Sequence, residues 1–153
     1  RNAGAILVGG GNTFNLLDWL QRLDLLAAVR DAVRDGTPYM GWSAGSNVAG
    51  PTIRTTNDMP IVQPRSFNAL GLVPFQINPH YTDARLRRHG GETRRDRLEE
   101  FCVANPGVPV VGLREGSWLE VRDGVAVLQG PKRAWLYRDG SRASLKPGEH
   151  IPS

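Results

Sequence analysis

At 153 residues, with 40% hydrophobic and 22% charged content, the chain has the make-up of a single globular domain over residues 1–153, long enough to bury a core. Its formal net charge of +4 rests almost wholly on arginine, because lysine occurs only at Lys132 and Lys146, and arginine favours planar carboxylate and phosphate partners. No run approaches the roughly 20 apolar residues of a membrane span, the start Arg1-Asn2-Ala3-Gly4 has no signal-peptide pattern, and the single cysteine, Cys102, has no internal disulfide partner; the expectation is a cytoplasmic chain without a membrane partner.

Along the chain, Ala5-Ile6-Leu7-Val8 is short, apolar and β-branched and stops at Gly9-Gly10-Gly11-Asn12, the pattern of a buried parallel strand running into a tight loop. From Thr13 to Gly36 the leucines, alanines and valines recur at helical spacing between Asp and Arg, predicting one or two amphipathic helices with a break near Asp24. Thr37 to Trp42 reads as a second strand, and Ala44 to Ala49 as the small-residue start of a helix, with Ser43 at the join. Pro51 to Pro64 is polar loop or short strand, and Phe75 to His80 a strand ending at a histidine.

The basic run Arg85, Arg87, Arg88, Arg94, Arg95 and Arg97 is interrupted and followed by acids and holds no aromatic between Tyr81 and Phe101. A solvated helix face explains it better than a nucleic-acid surface, which interleaves basic and aromatic residues. Glu92 to Val103 is helical by its spacing, Pro109 to Leu113 is a buried strand, and from Ser117 onward alternating residues with Asp123-Gly124 and Asp139-Gly140 turns predict a small antiparallel appendage. The alternation of strand and helix before it predicts an α/β fold: a parallel sheet flanked by helices, whose site forms beyond the carboxyl ends of the strands.

Gly41-Trp42-Ser43-Ala44-Gly45 fits the G-x-S-x-G elbow, in which glycines let a strand turn sharply into a helix and leave the serine hydroxyl projecting. A serine hydroxyl needs a base. Of His80, His89 and His150, only His80 ends a predicted strand, as Ser43 does. The base in turn needs an acid to hold its tautomer, and Asp58 and Glu115 both qualify on position. The glycine element Gly9 to Thr13 fits neither G-x-x-x-x-G-K-[ST] nor G-x-G-x-x-G. Oxyanion donation from the Gly11 and Ala44 N–H groups is the better reading, each donor worth about 3 kcal/mol of barrier. No set of Cys and His residues has zinc-ligand spacing.

Taken together, Val8 to Phe14, Gly41 to Asn47, the run Pro51-Thr52-Ile53-Arg54-Thr55-Thr56-Asn57-Asp58-Met59-Pro60 and Gln76 to His80 closely resemble peptidase E, the α-aspartyl dipeptidase family of serine peptidases. Gly91-Glu92-Thr93-Arg94 and Gly112 to Gly116 extend the resemblance over essentially the whole chain. It implies a class I glutamine amidotransferase-like (flavodoxin-like) fold and hydrolysis of Asp-Xaa dipeptides with no metal or other cofactor. By motif position Ser43 is the nucleophile, His80 the base and Asp58 the third member, with Glu115 in reserve. Gly11 and Ala44 form the oxyanion hole, and Arg94 and Asn12 bind substrate; a guanidinium at Arg94 suits the substrate aspartate because it grips a carboxylate bidentately. Peptidase E chains normally carry further strands and helices before the glycine loop. The expectation is therefore a homodimer whose second copy covers the sheet edge. Two alternatives stand beside this reading: a cyanophycinase-like hydrolase of β-Asp-Arg, and an inactive truncated relative acting as a binding module.

Overall fold

A computed structural model of the protein describes residues 3–84 and 91–152. Arg1, Asn2, Arg85, Arg87, Arg88 and His89 of the sequence readings lie outside these residues. The chain falls into two compact units, residues 1–77 and 78–153.

In the first unit, β1 (Ile6–Val8) leads through the glycine run into α1 (Thr13–Arg22), followed by α2 (Leu25–Arg34), β2 (Tyr39–Gly41) and α3 (Ala44–Ala49). β1 and β2 are parallel, in register Ile6 with Tyr39, Leu7 with Met40 and Val8 with Gly41. The expected break near Asp24 is real: Asp24 adopts a left-handed conformation with φ 53, which ends one helix and starts the next. Both helices turn their leucine and valine stripes inward. Leu16, Leu20, Leu26 and Val29 pack on a core of Leu17, Val48, Ile53, Ala69 and Leu70, each fully buried aliphatic side chain contributing about 1.5–3 kcal/mol.

The segment after α3 is irregular yet tightly bonded. Ile53 N–H donates to Phe67 O at 3.0 Å, Ala69 N–H to Pro51 O at 2.9 Å and Leu70 N–H to Val48 O at 2.9 Å, bonds that hold this loop without helix or strand.

Chain passes from the first unit to the second within β3 (Gln76–Asn78). The second unit contains α4 (Arg94–Ala104), β4 (Val110–Gly112), β5 (Trp118–Arg122), β6 (Val125–Gln129), β7 (Ala134–Arg138) and β8 (Ser141–Leu145). Two antiparallel hairpins, β5–β6 and β7–β8, turn at Asp123-Gly124 and Asp139-Gly140. All four turn residues have positive φ, the geometry that matches hairpin twist. Of these hairpins, β5–β6 forms a two-stranded sheet of its own. β7 pairs antiparallel with β4, Val111 opposite Leu136, which draws the second hairpin into the sheet.

Leu98, Cys102, Val110 and Tyr137 form the core beneath it. Burial pushes the Cys102 thiol pKa up, which keeps it a small apolar group rather than a nucleophile. On the outer face of α4, Arg95 bridges Glu99 at 2.6 Å and Arg97 bridges Glu92 at 3.5 Å.

Candidate active site

Ser43 sits where β2 turns into α3, with φ 55 and ψ −115, a conformation that costs a non-glycine residue about 1–3 kcal/mol and persists only where the surroundings enforce it. The surroundings are backbone. A Cβ on Gly45 would penetrate the Val8 carbonyl, and a Cβ on Gly41 would lie 2.5 Å from the Gly45 carbonyl oxygen. The glycines of G-x-S-x-G are thus required by close approach of β1, β2 and α3, and Ser43 stands half-buried between them. Ser46 and Asn47 N–H groups both donate to Ser43 O, at 3.0 and 3.1 Å, closing the first turn of α3.

The glycine run lies against this elbow. A Cβ on Gly10 would come within 3.2 Å of Ser43 Cβ, and one on Gly9 within 3.3 Å of the Trp42 ring. Gly11 has φ 139, a backbone shape closed to ordinary side chains. Asn12 is the N-cap of α1: its Oδ1 accepts from Asn15 N–H at 3.1 Å, and its Nδ2 donates to Met59 O at 2.8 Å.

Asp58 belongs to the same cluster. Its Oδ2 accepts from Thr13 N–H at 2.7 Å and from Thr13 Oγ1 at 2.5 Å. The Thr13 hydroxyl also accepts from Thr56 Oγ1 at 3.0 Å and from Asn47 Nδ2 at 3.3 Å. Glycine loop, elbow helix and the Thr55-to-Pro60 loop are therefore tied through one fully buried threonine. Thr13 and Asn47 escaped the sequence reading because neither carries the chemistry of a catalytic group; the only signal was Thr13 following a glycine loop.

In the second unit, His80 follows β3 with φ 56. Its turn is fixed on both sides: Leu113 N–H donates to Asn78 O and Tyr81 N–H to Leu113 O, each at 2.9 Å. Gly112 leaves room for the Tyr81 ring, which a Cβ would approach to 2.6 Å. These contacts bring the loop after β4 alongside the histidine, and His80 Nδ1 is hydrogen-bonded to Glu115 Oε1. Of the two acids that sequence left open, Glu115 is the one found on the histidine, while Asp58 is found on Thr13. Arg94 is the first residue of α4, placed there by a capping box in which Thr93 and Asp96 exchange hydrogen bonds.

Beside His80 lies a polar hub that the sequence did not announce. Asp83 accepts from Tyr81 Oη at 3.0 Å, Trp135 Nε1 at 3.1 Å and Arg142 Nη1 at 3.3 Å, and pairs with Arg114. Partial burial alone would raise its pKa, but the Trp135 and Tyr81 hydrogen bonds and the two guanidinium groups outweigh that and hold it below the ordinary 3.8. Tyr81, buried and bonded to Tyr137 Oη at 2.6 Å, has its own pKa pushed well up, first by burial and then by that bond. A cavity of about 460 Å³ opens here, lined by His80, Tyr81, Asp83, Arg114, Glu115 and Lys132 among others. Among the described residues there is no group of three or more His, Cys, Asp or Glu side chains that could hold a metal ion, and no helix is long and apolar enough to cross a membrane.

A serine on a glycine-packed strand-to-helix elbow stands in an α/β protein. Its fold is that of a protein from Listeria monocytogenes EGD-e named as a candidate peptidase E, whose crystal structure matches with a TM-score of 0.67 and 24% identity over 86% of this chain and 62% of that one. Residues 1–129 match the family model of peptidase family S51, and the chain belongs to that family. Relatives named Peptidase E include one from Nostoc sp., 56% identical over 92% of this chain and 58% of its own length. Another, from Shewanella amazonensis, is 55% identical over 94% of this chain and 61% of its own length. The chain thus spans about three fifths of the length of these relatives.

Proposed function

We propose that the chain is the catalytic part of a serine peptidase that releases an N-terminal aspartate from Asp-Xaa dipeptides. The observation that carries this reading is Ser43, held at φ 55 by glycines whose neighbours leave no space for a side chain, in a chain of family S51. In this reading Ser43 Oγ attacks the scissile carbonyl as His80 takes its proton. His80 then returns the proton to the leaving amine, and water hydrolyses the acyl-enzyme by the same route.

Glu115 is the third member of the proposed triad in preference to Asp58. Its bond to His80 Nδ1 leaves Nε2 for the serine proton and offsets the imidazolium charge, whereas Asp58 Oδ2 is bonded to Thr13. Gly11 and Ala44 N–H groups are proposed as the oxyanion donors, a role favoured for the glycine run by its packing against Ser43. Arg94 is proposed to receive the substrate aspartate. Asn12, already a cap, is proposed to hold the loop and to contact substrate through its remaining acceptor capacity.

The proposal extends to a glutamine amidotransferase-like sheet, to one catalytic domain with its roles divided between the two units, to a cytoplasmic setting and to a homodimer. For the homodimer the supporting feature is the exposed apolar face of the parallel pair, where Leu7 and Met40 are each more than 60% exposed.

The test is hydrolysis of aspartyl p-nitroanilide beside alanyl p-nitroanilide. Aspartate-selective turnover is expected to fall about 10⁴-fold or more in Ser43→Ala, since triad members act as a unit. Glu115→Gln is expected to lose far more than Asp58→Asn. A larger loss at Asp58 reverses the assignment, and turnover that survives Ser43→Ala removes the serine mechanism altogether.

A further inference from the structure

The acids around the 460 Å³ cavity are already engaged. Glu115 is taken by His80 and Asp83 by Arg114. Lys132, which lines the same cavity, forms no ion pair among the described residues.

Its placement is built rather than incidental. Lys132 lies in the β6–β7 connection, where Ser117 Oγ donates to Lys132 O at 2.9 Å and accepts from Lys132 N–H at 3.1 Å. Gly130, at φ 96, presses the same connection onto the residues that follow Glu115: a Cβ there would lie 2.6 Å from Gly116 O and 2.9 Å from Ser117 Cα. The turn that carries Lys132 and the loop that carries Glu115 are thus one rigid piece, with His80 bonded to it.

We infer that Lys132 binds the free α-carboxylate of the residue that leaves when the Asp-Xaa bond is cut. The inference rests on the dipeptidase reading and sharpens it. His80 must hand its proton to the leaving amine, so the leaving residue lies against His80 and within the cavity that His80 lines. In a dipeptide, that amine and the terminal carboxylate are separated by a single carbon. A cation in the same cavity therefore meets a carboxylate there only if the chain ends one residue after the scissile bond. Lys132 would thus select for dipeptides over longer peptides, which bring an uncharged amide to the same point and leave the ammonium unpaired.

The experiment compares wild type, Lys132→Met and Lys132→Arg on Asp-Leu, Asp-Leu amide and Asn-Leu. Lys132→Met is expected to lower kcat/KM on Asp-Leu about tenfold, mainly through KM, as loss of one charge-assisted contact would. Its rate on the amide should be unchanged, and Lys132→Arg should recover most of the loss. Equal losses on peptide and amide would overturn the inference by making Lys132 structural. A loss that vanishes with Asn-Leu instead of with the amide would assign the cation to the aspartate side chain and overturn it too.

A second arm needs no turnover. The His80 ring proton resonance, assigned with His80→Ala, should shift saturably with N-acetyl-leucine in wild type, and neither in Lys132→Met nor with N-acetyl-leucinamide. Should folded wild type cleave no aspartyl peptide, the dipeptidase reading fails and this arm alone decides the subsite; a shift that persists in Lys132→Met overturns it.

Discussion

The elbow of the first unit and the histidine turn of the second hold Ser43 and His80 by opposite means. Ser43 is positioned by exclusion: carbonyls of Val8 and Gly45 approach so closely that only glycine fits, and the serine between those glycines stands at φ 55 and ψ −115. His80 is positioned by attraction, through Glu115 on its ring and, three residues on, the hub at Asp83. Steric closure is indifferent to pH and salt but has no tolerance for one added methyl group. A polar hub on a partly exposed carboxylate accepts changes of size and yields to protonation and screening.

The largest expected effect is therefore Gly45→Ala. The new Cβ meets backbone, which cannot rotate away, and the β1–α3 approach must open at a cost of about 3 kcal/mol. Gly4→Ala, with nothing within 4 Å, is the control in the same unit and should change stability by less than about 0.5 kcal/mol. Urea midpoints of the two variants check this. A Gly45→Ala protein as stable as wild type would mean that the elbow is not sterically locked.

Asp83→Asn probes the other mode. Charge-assisted hydrogen bonds are worth about 1.5–3 kcal/mol each, but Asp83 is 40% exposed, and screening reduces the expected loss at pH 7 to about 1–2 kcal/mol. The folded pKa is lowered, so the carboxylate stabilises the protein above 3.8, and that contribution is lost as pH falls through the folded value. The stability gap between wild type and variant should accordingly be full at pH 7 and shrink steadily below pH 3.8. A gap that is the same at pH 3 and pH 7 would remove the charge from the explanation.

These two modes also explain how far the sequence could be read. Exclusion leaves a mark in sequence, because a contact that only glycine tolerates puts glycine at fixed offsets; Gly9 to Gly11, Gly41 and Gly45 located the elbow and its loop before any coordinates. The hairpin turns at Asp123-Gly124 and Asp139-Gly140 were readable for the same reason. Attraction leaves less. Asp58 and Glu115 are both loop acids near predicted strand ends, and choosing between them required the Leu113–Asn78 and Tyr81–Leu113 bonds that bring one loop to the histidine. Asp83 stands in an ordinary Tyr-Thr-Asp stretch and draws three of its four partners from residues 31 to 59 positions away. Strand pairing was hidden likewise: alternation predicts that β7 is a strand, but not that it lies beside β4.

Asn12 is the residue on which structural and functional readings coincide, and the smallest predicted effect separates them. As N-cap of α1 it accepts from Asn15 N–H and also donates to Met59 O. Asn12→Ala should cost about 1 kcal/mol of stability, while Asn12→Ser keeps the capping oxygen and should return most of it. If Asn12 only caps, aspartyl p-nitroanilide turnover in the serine variant returns together with stability, because the glycine loop is again held at its junction with α1. If the amide group also touches substrate, the serine variant is as stable as wild type yet raises KM, since its shorter side chain cannot reach both the Asn15 amide and a ligand. Thermal midpoint and KM measured on the same three proteins therefore decide whether the glycine loop ends in a cap alone or in a cap that binds.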